Sequence, residues 1–430
     1  MKKVIGVAVA ASLVAGMAFA EVSVSLNARL RSNMYHVEEY KDVNDPTGNT
    51  KEKTIDIFDL DGGNSHGGSN AMSDTLGFNA KTDYAGVQLE LTPKSDDSAA
   101  AVDRKYNAWL KFGDLKFSFG TMDSRFINRY NVTAGESGLL DSNDIAKYGI
   151  AGLSTAKFLK DANNFTAVKG DRVDVLVADY TFADVAGGKL LVKAALFENN
   201  YKGKDDTDKE TLIRAGFGFE ADYQNDSVAI QGLYKAVDSK QSIFGVYVEP
   251  KLMKELTTVV GFSYGKCKKN SKIGYQMKDN EYAKDDGGEK IELGTKYGND
   301  VTAYALDVRF GYKVSDALKI STVAKYEYAE VDAAGVEADT ALSLAGEVSY
   351  IINDKITAFF DAGYYNNDLD GDKDSKVKDS KIIRVRPGVK FTAGKGAAIT
   401  AAFQYDKNTD AAEGKLETEY SIPVIFRVKL

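Results

Sequence analysis

The stretch from Leu416 to Leu430 is two-periodic along its whole length. Leu416, Thr418, Tyr420, Ile422, Val424, Phe426, Val428 and Leu430 fall on one parity. Glu417, Glu419, Ser421, Pro423, Ile425, Arg427 and Lys429 fall on the other. Period two places alternate side chains on opposite faces of an extended strand. An unbroken apolar face opposite a mostly charged one, on the last residues given, is unusual for a soluble domain. It suits a sheet that is apolar outside and wet inside, whose final strand closes against its first.

The alternation recurs through the chain. It is clear over Val22–His36, Leu76–Tyr84, Val87–Leu91, Tyr106–Phe112, Leu115–Phe119, Ile213–Phe219, Val228–Ala236, Phe244–Val248 and Leu256–Tyr264. It is clearest over Tyr304–Tyr312, Leu318–Tyr328, Leu342–Tyr350, Ile356–Tyr364, Ile383–Phe391 and Ile399–Tyr405. Val173–Tyr180 and Leu190–Phe197 are apolar on both parities, which leaves their orientation open. Connections alternate short and long. Gly113-Asp114, Asn225-Asp226, Ser315-Asp316, Asn353-Asp354 and a turn at Ala85-Gly86 are short. Residues 37–73, 122–171, 266–300 and 366–380 are long and polar, and Cys267 falls in the third. The pattern predicts an all-β, transmembrane antiparallel barrel of about eighteen strands, with sixteen as the alternative. Short turns face the periplasm and long loops face outward. Tyr264, Tyr326, Tyr328, Tyr364 and Tyr405 at one level, and Tyr312, Tyr350, Phe391 and Phe426 at the other, form two interfacial girdles. A soluble sandwich with tyrosine-rich edges has no reason to alternate loop lengths in this way.

The first twenty residues carry Lys2 and Lys3, an apolar run over Val4–Ala15 and the small-x-small sequence Ala18-Phe19-Ala20. That is the layout of a secretory signal peptide, which leaves 21–430 as the barrel. No later run is long and apolar enough for a membrane helix, and a mean hydropathy of −0.31 is no objection to a barrel with wet lumen and loops. One cysteine permits no intrachain disulfide. The formal charge of −8 becomes −10 once Lys2 and Lys3 are removed, which argues against a nucleic-acid partner. The only histidines are His36 and His66, neither in a nucleophile–base motif, so an embedded hydrolase is not expected.

These features together resemble an outer-membrane porin of the general diffusion type. The resemblance covers 21–430 and rests on the signal peptide, the alternating strands, the terminal amphipathic strand and one oversized connection after the fifth strand. In that family this connection folds into the barrel and narrows it, and residues 122–171 occupy its place here. The family usually ends in an aromatic residue and has sixteen strands, whereas this chain ends in Leu430 and counts nearer eighteen. Those departures point to a divergent member, a spirochaetal one among the options. The resemblance implies a water-filled channel for passive diffusion of ions and small hydrophilic solutes. Its partners are outer-membrane lipid and further copies of the chain in a homotrimer. A barrel acting as an adhesin through its long polar loops is the second reading.

The inward parity carries the charge. Arg29, Arg31, Lys81, Arg214, Arg309, Arg384, Arg386 and Arg427 are the expected pore-lining cations, and inward acids look fewer. Barrel closure would gather Arg29, Arg31, Arg384, Arg386 and Arg427 on one wall. The 122–171 segment offers Arg125, Arg129, Glu136, Asp141 and Asp144. Opposed charge across a narrow pore would set up a transverse field. No cofactor is required. Asp368, Asp370, Asp372 and Asp374 alternate like the front of a calcium loop, but the twelfth position from Asn366 is Val377 instead of the bidentate glutamate. A solvated acidic loop is the simpler reading.

Overall fold

A computed structural model describes residues 21–40, 53–59, 72–93, 102–120, 175–198, 215–238, 241–267, 300–332, 338–366, 381–409 and 416–430. The described elements are all strands: β1 Glu21–Tyr40, β2 Lys53–Asp59, β3 Met72–Lys81, β4 Ala85–Pro93, β5 Val102–Phe112, β6 Leu115–Gly120, β7 Val175–Val185, β8 Gly188–Glu198, β9 Ala215–Gln224 and β10 Val228–Asp238. They continue with β11 Gln241–Pro250, β12 Leu256–Cys267, β13 Val301–Lys313, β14 Leu318–Val331, β15 Asp339–Ile351, β16 Ile356–Asn366, β17 Lys381–Gly394, β18 Ala397–Ala402, β19 Gln404–Asn408 and β20 Leu416–Lys429.

Every pairing is antiparallel, and β20 returns to β1, so the sheet closes. Along one side of β1, β3 pairs with residues 21–30 and β2 with 33–39, making the two pieces of one wall strand. β18 and β19 are likewise one strand between β17 and β20. The wall therefore has eighteen strands. β18 and β19 part at Phe403 for a local reason. The Phe403 N–H donates to the Pro387 carbonyl at 3.0 Å, but Pro387 has no N–H to return the bond.

The closing seam departs from the sequence expectation. Residues 37–73 are not one loop: β1 runs on to Tyr40, and β2 lies within the stretch. The register against β20 shifts between Asn33 and His36, where β1 carries one residue more than its partner strand. A bulge of this kind resets the parity. Asn27, Arg29, Arg31 and Asn33 alternate on odd positions, whereas His36 and Glu38, beyond the bulge, stand on even ones opposite Ser421 and Glu419.

The two faces of the wall differ as a bilayer requires. On β9, Phe217 and Phe219 are exposed outward while Glu220 and Asp222 are buried inward. On β16, Phe360 is exposed and its neighbours Phe359 and Asp361 are buried. Tyrosines collect at the outer level: Tyr264 stands opposite Tyr304 and Tyr304 opposite Tyr328, with the last two rings stacked at 4.7 Å. Such rings suit the headgroup boundary.

At the other end the turns share a device. Asn225 Oδ1 accepts from the Ser227 and Val228 N–H groups, and Asn353 Oδ1 from those of Lys355 and Ile356, all at 2.9 Å. Ser315 and Thr82 hydroxyl oxygens do the same. Side-chain oxygens that mimic the backbone in this way are why Asn, Ser and Thr open tight turns. The Thr82 turn replaces the one expected at Ala85-Gly86, since both of those residues lie in β4. Ala186 and Gly187 both have positive φ, the requirement of a two-residue turn that matches strand twist. On the opposite side Cys267 ends β12 instead of lying in a loop, and β10 and β11 are joined by only two residues.

Candidate functional site

The inward parity builds a wall of paired charges. On β17 two arginines sit two residues apart and are among the largest fully buried side chains. Arg384 stands opposite Asp406 of β19 and holds its carboxylate through Nε at 2.8 Å and Nη2 at 2.6 Å. Its guanidinium also lies 5.8 Å from the centre of the Tyr365 ring. Arg386 stands opposite Asp361 of β16, with Nε 3.0 and 2.8 Å from the two carboxylate oxygens, and donates to Gln404 at 3.2 Å. Both guanidiniums thus donate charge-assisted bonds to acids on flanking strands.

Two further sectors repeat the theme. On β13, Arg309 folds back on Asp307 of the same strand, at 2.9 Å for both bonds. On β14, Lys325 pairs with Glu327. On β8 the Lys193 ammonium lies 2.7 Å from Glu220 and 3.6 Å from Asp222, both on β9, and Gln231 of β10 donates to Glu220 at 3.2 Å. Lys116 of β6 reaches Asp179 of β7 at 3.1 Å. At the seam His36 Nε2 lies 3.2 Å from Glu419 and 3.8 Å from Glu38.

The buried charges of this wall are mostly negative. Asp179, Glu220, Asp222, Asp307, Glu327, Glu347, Asp361, Asp406 and Glu419 are buried, against Lys193, Arg309, Arg384 and Arg386. Among the fully buried side chains, carboxylates therefore outnumber cations. Acids were undercounted for identifiable reasons. Glu220 and Asp222 follow directly from the outward parity of Phe217 and Phe219, and Asp406 continues the Ile399–Tyr405 alternation, so a signal existed for these three. Asp179 lies in a strand apolar on both parities, which hid it.

The other sequence-predicted residues are placed as follows. Lys81 is at the turn-side rim, half exposed, 3.0 Å from Glu21. Arg427 is exposed at the same end of β20, and its backbone stands opposite Arg29 of β1. Arg31 stands opposite Ile425. Arg214, Arg125, Arg129, Glu136, Asp141, Asp144, Asp368, Asp370, Asp372 and Asp374 lie outside the described residues, as does all of 122–171. Among the described residues no group of His, Cys, Asp or Glu is arranged to hold a metal ion.

Aromatic side chains fill the space between the charges by lying over glycines. A Cβ on Gly261 would sit 2.3 Å from the Tyr247 ring opposite it, and one on Gly388 would sit 2.2 Å from Phe359. Tyr247 is buried and shares a hydrogen bond with Ser263 at 2.7 Å. Phe359 packs with Ala402 and Ile425. These glycines let large rings lie flat against the wall.

No protein-family profile matches the chain, and no curated protein matches its sequence. Solved structures do. OccK2 (OpdF) of Pseudomonas aeruginosa aligns over 95% of this chain and 98% of its own, with a TM-score of 0.50 at 8% identity. The anion-selective porin of Comamonas acidovorans aligns over 95% and 100%, with a TM-score of 0.46 at 13% identity. OmpT in trimer form, an outer membrane protein of Vibrio cholerae, aligns over 96% and 100%, with a TM-score of 0.45 at 15% identity. At such identities the likeness to OccK2 bears on the fold: a closed antiparallel barrel of the outer-membrane kind.

Proposed function

We propose that the chain is a porin: a water-filled channel through an outer membrane for passive diffusion of ions and small hydrophilic solutes. One observation carries the reading. A closed eighteen-strand wall is apolar outside and charged inside, and a barrel of that strand number is wide enough to leave an aqueous path. Residues 1–20 serve as the export signal, and the mature barrel assembles from the periplasm. The segment 122–171 narrows the path, with Glu136, Asp141 and Asp144 among its polar groups. The barrel works without catalysis and without a resident cofactor, and homotrimers are its proposed assembly.

The test is planar-bilayer recording of the refolded mature protein. Stepwise, ohmic conductance is expected, and deletion of Gly135–Asp144 should raise the step size. A protein that inserts, shows the barrel's circular dichroism and gives no steps would overturn the channel reading in favour of surface binding.

A further inference from the structure

We propose that the inner wall across β3, β4 and β5 holds a binding subsite for neutral carbohydrate, formed by the Trp109 ring and a row of three amides, Asn79, Gln88 and Asn107. The proposal rests on the channel reading and assigns it a solute class. Parity puts all four side chains on the water side, because Phe78, Ala108 and Leu110 beside them are exposed outward. The register lines the amides up: Asn79 stands opposite Gln88, and Gln88 opposite Asn107. At a strand spacing of about 4.8 Å the row spans roughly 10 Å. Trp109 follows Asn107 on the same face of β5 and stands opposite Gly86. A Cβ on Gly86 would lie 2.5 Å from the indole Cε2 and Nε1 atoms, so the ring lies flat on the wall with its other face toward the pore. The ring and the three amides are all partly exposed.

This combination suits a sugar. A pyranose presents a C–H face that packs on an indole and, around its rim, hydroxyls that both donate and accept. A side-chain amide also does both, through its NH2 group and its carbonyl oxygen. Amides at strand spacing can therefore serve successive hydroxyls of a short saccharide while the ring holds its apolar face. The amides have capacity to spare. Among the described residues none of their side chains, nor the Trp109 indole N–H, makes a hydrogen bond, and Asn107 Oδ1 is a covered acceptor without a partner. An incoming hydroxyl would satisfy it at little desolvation cost. The row itself carries no charge, unlike the ion-paired sectors of β8–β9, β13 and β16–β19, so it offers an ionic solute no counter-charge. Lys81, Glu90 and Lys111 are the charged neighbours, each two residues along its strand from one of the four.

Trp109 is the sole tryptophan, so its emission reports on the subsite directly. The refolded mature protein, in lauryldimethylamine oxide to avoid a detergent with a sugar headgroup, is titrated with maltotriose. A saturable change in emission is expected, with half-saturation in the millimolar range. Over the same range maltotriose should partly block the ion current in a planar bilayer. Gln88→Leu and Asn107→Leu remove one amide each, leave Trp109 in place, and should each raise the half-saturation concentration about fivefold or more. Trp109→Ala should abolish the block, and only assembled barrels carry current in that assay. Should a leucine variant fail to fold, Gln88→Ala or Asn107→Ala carries the same expectation. A conducting wild type whose emission and current ignore maltotriose would overturn the sugar assignment while leaving the channel standing. An equal response to a polyethylene glycol of the same mass, or to uridine, would overturn it too. Amide variants with unchanged half-saturation would remove the row from the subsite and refute the proposal. A wild type with no conductance at all would remove the channel reading, and with it the place of this subsite on a solute path.

Discussion

Replacing Arg386 by methionine should cost the barrel about 3–5 kcal/mol, because it strands the Asp361 carboxylate in a buried position. The magnitude follows from the geometry. Side-chain exposure is 1% for Arg386 and 2% for Asp361, and the Arg386 Nε lies within 3.0 Å of both carboxylate oxygens. A pair so covered belongs to the packed layer of the wall, beneath the water path. Were pore water able to reach Asp361 once the guanidinium is gone, the loss would fall to the ~0–1 kcal/mol of a surface pair. The two cases are separable. Urea unfolding of the detergent-folded protein can be followed through Trp109, the sole tryptophan. The double variant Arg386→Met/Asp361→Leu removes both charges and should recover most of the loss, since a buried pair adds little over apolar groups of like volume. Single variants that lose under about 1 kcal/mol, or a double variant that loses the sum of the singles, would refute the idea of a dry, coupled pair.

Other consequences can be checked in the same preparation. Leu344 faces the bilayer from β15, so Leu344→Arg should lose about 2–4 kcal/mol of folding free energy in lipid vesicles, while Glu347→Gln on the inward face of the same strand should fold with normal yield. Gly261→Val drives a side chain into the Tyr247 ring and should cost about 1–3 kcal/mol by urea unfolding, more than Gly232→Val, where a Cβ meets nothing within 4 Å. Asp316 in the β13–β14 turn is held below the ordinary carboxylate pKa by its hydrogen bond from Lys313 and then by that charge. A depressed folded value gives stability that is present above the unfolded pKa and is lost as pH falls through the folded one. Unfolding midpoints of wild type and Asp316→Asn should therefore differ by a small constant amount near neutral pH and converge in strong acid. Convergence at neutral pH instead would show the pair to be absent in solution.

The outward face was legible because lipid tolerates no polar break in it. From β13 to β20 the outward parity is apolar with few exceptions, Thr322, Gly346, Lys407 and Thr418 among them, so the strands and their alternation follow from the sequence. Legibility failed where the inward face is not polar. Val177, Leu191 and Ala195 point inward in β7 and β8 and are buried, so these strands read as apolar on both parities and concealed Asp179 and Lys193 between them. It failed again at the β1 bulge, where one extra residue exchanges the parities and made the outer part of the strand look like loop. β2 was lost because its apolar signal reduces to Ile55 and Ile57. The inward cations split the same way. Arg309, Arg384 and Arg386 fall on the buried face that their parity predicts, whereas Lys81 and Arg427 belong to the rim.

The sign of the wall could not be read from single strands, and β17 shows why. Arg384-Val385-Arg386 reads as a positive stripe, with two like charges on one face about 7 Å apart at the strand's rise per residue. Alone, that spacing would be repulsive. The register resolves it by sending each guanidinium to a different neighbour: Arg386 to Asp361 on β16, and Arg384 to Asp406 on β19. Opposite charges directly across a pair of strands are the natural relief for like charges along one. The stripe is then electrically spent within the wall. Neutralising both arginines would leave Asp361 and Asp406 without their guanidinium partners inside the packed wall, so Arg384→Gln/Arg386→Gln should weaken the barrel. What mobile ions meet is the remainder after pairing, and that remainder depends on which strands are neighbours. Composition along any one strand does not contain it.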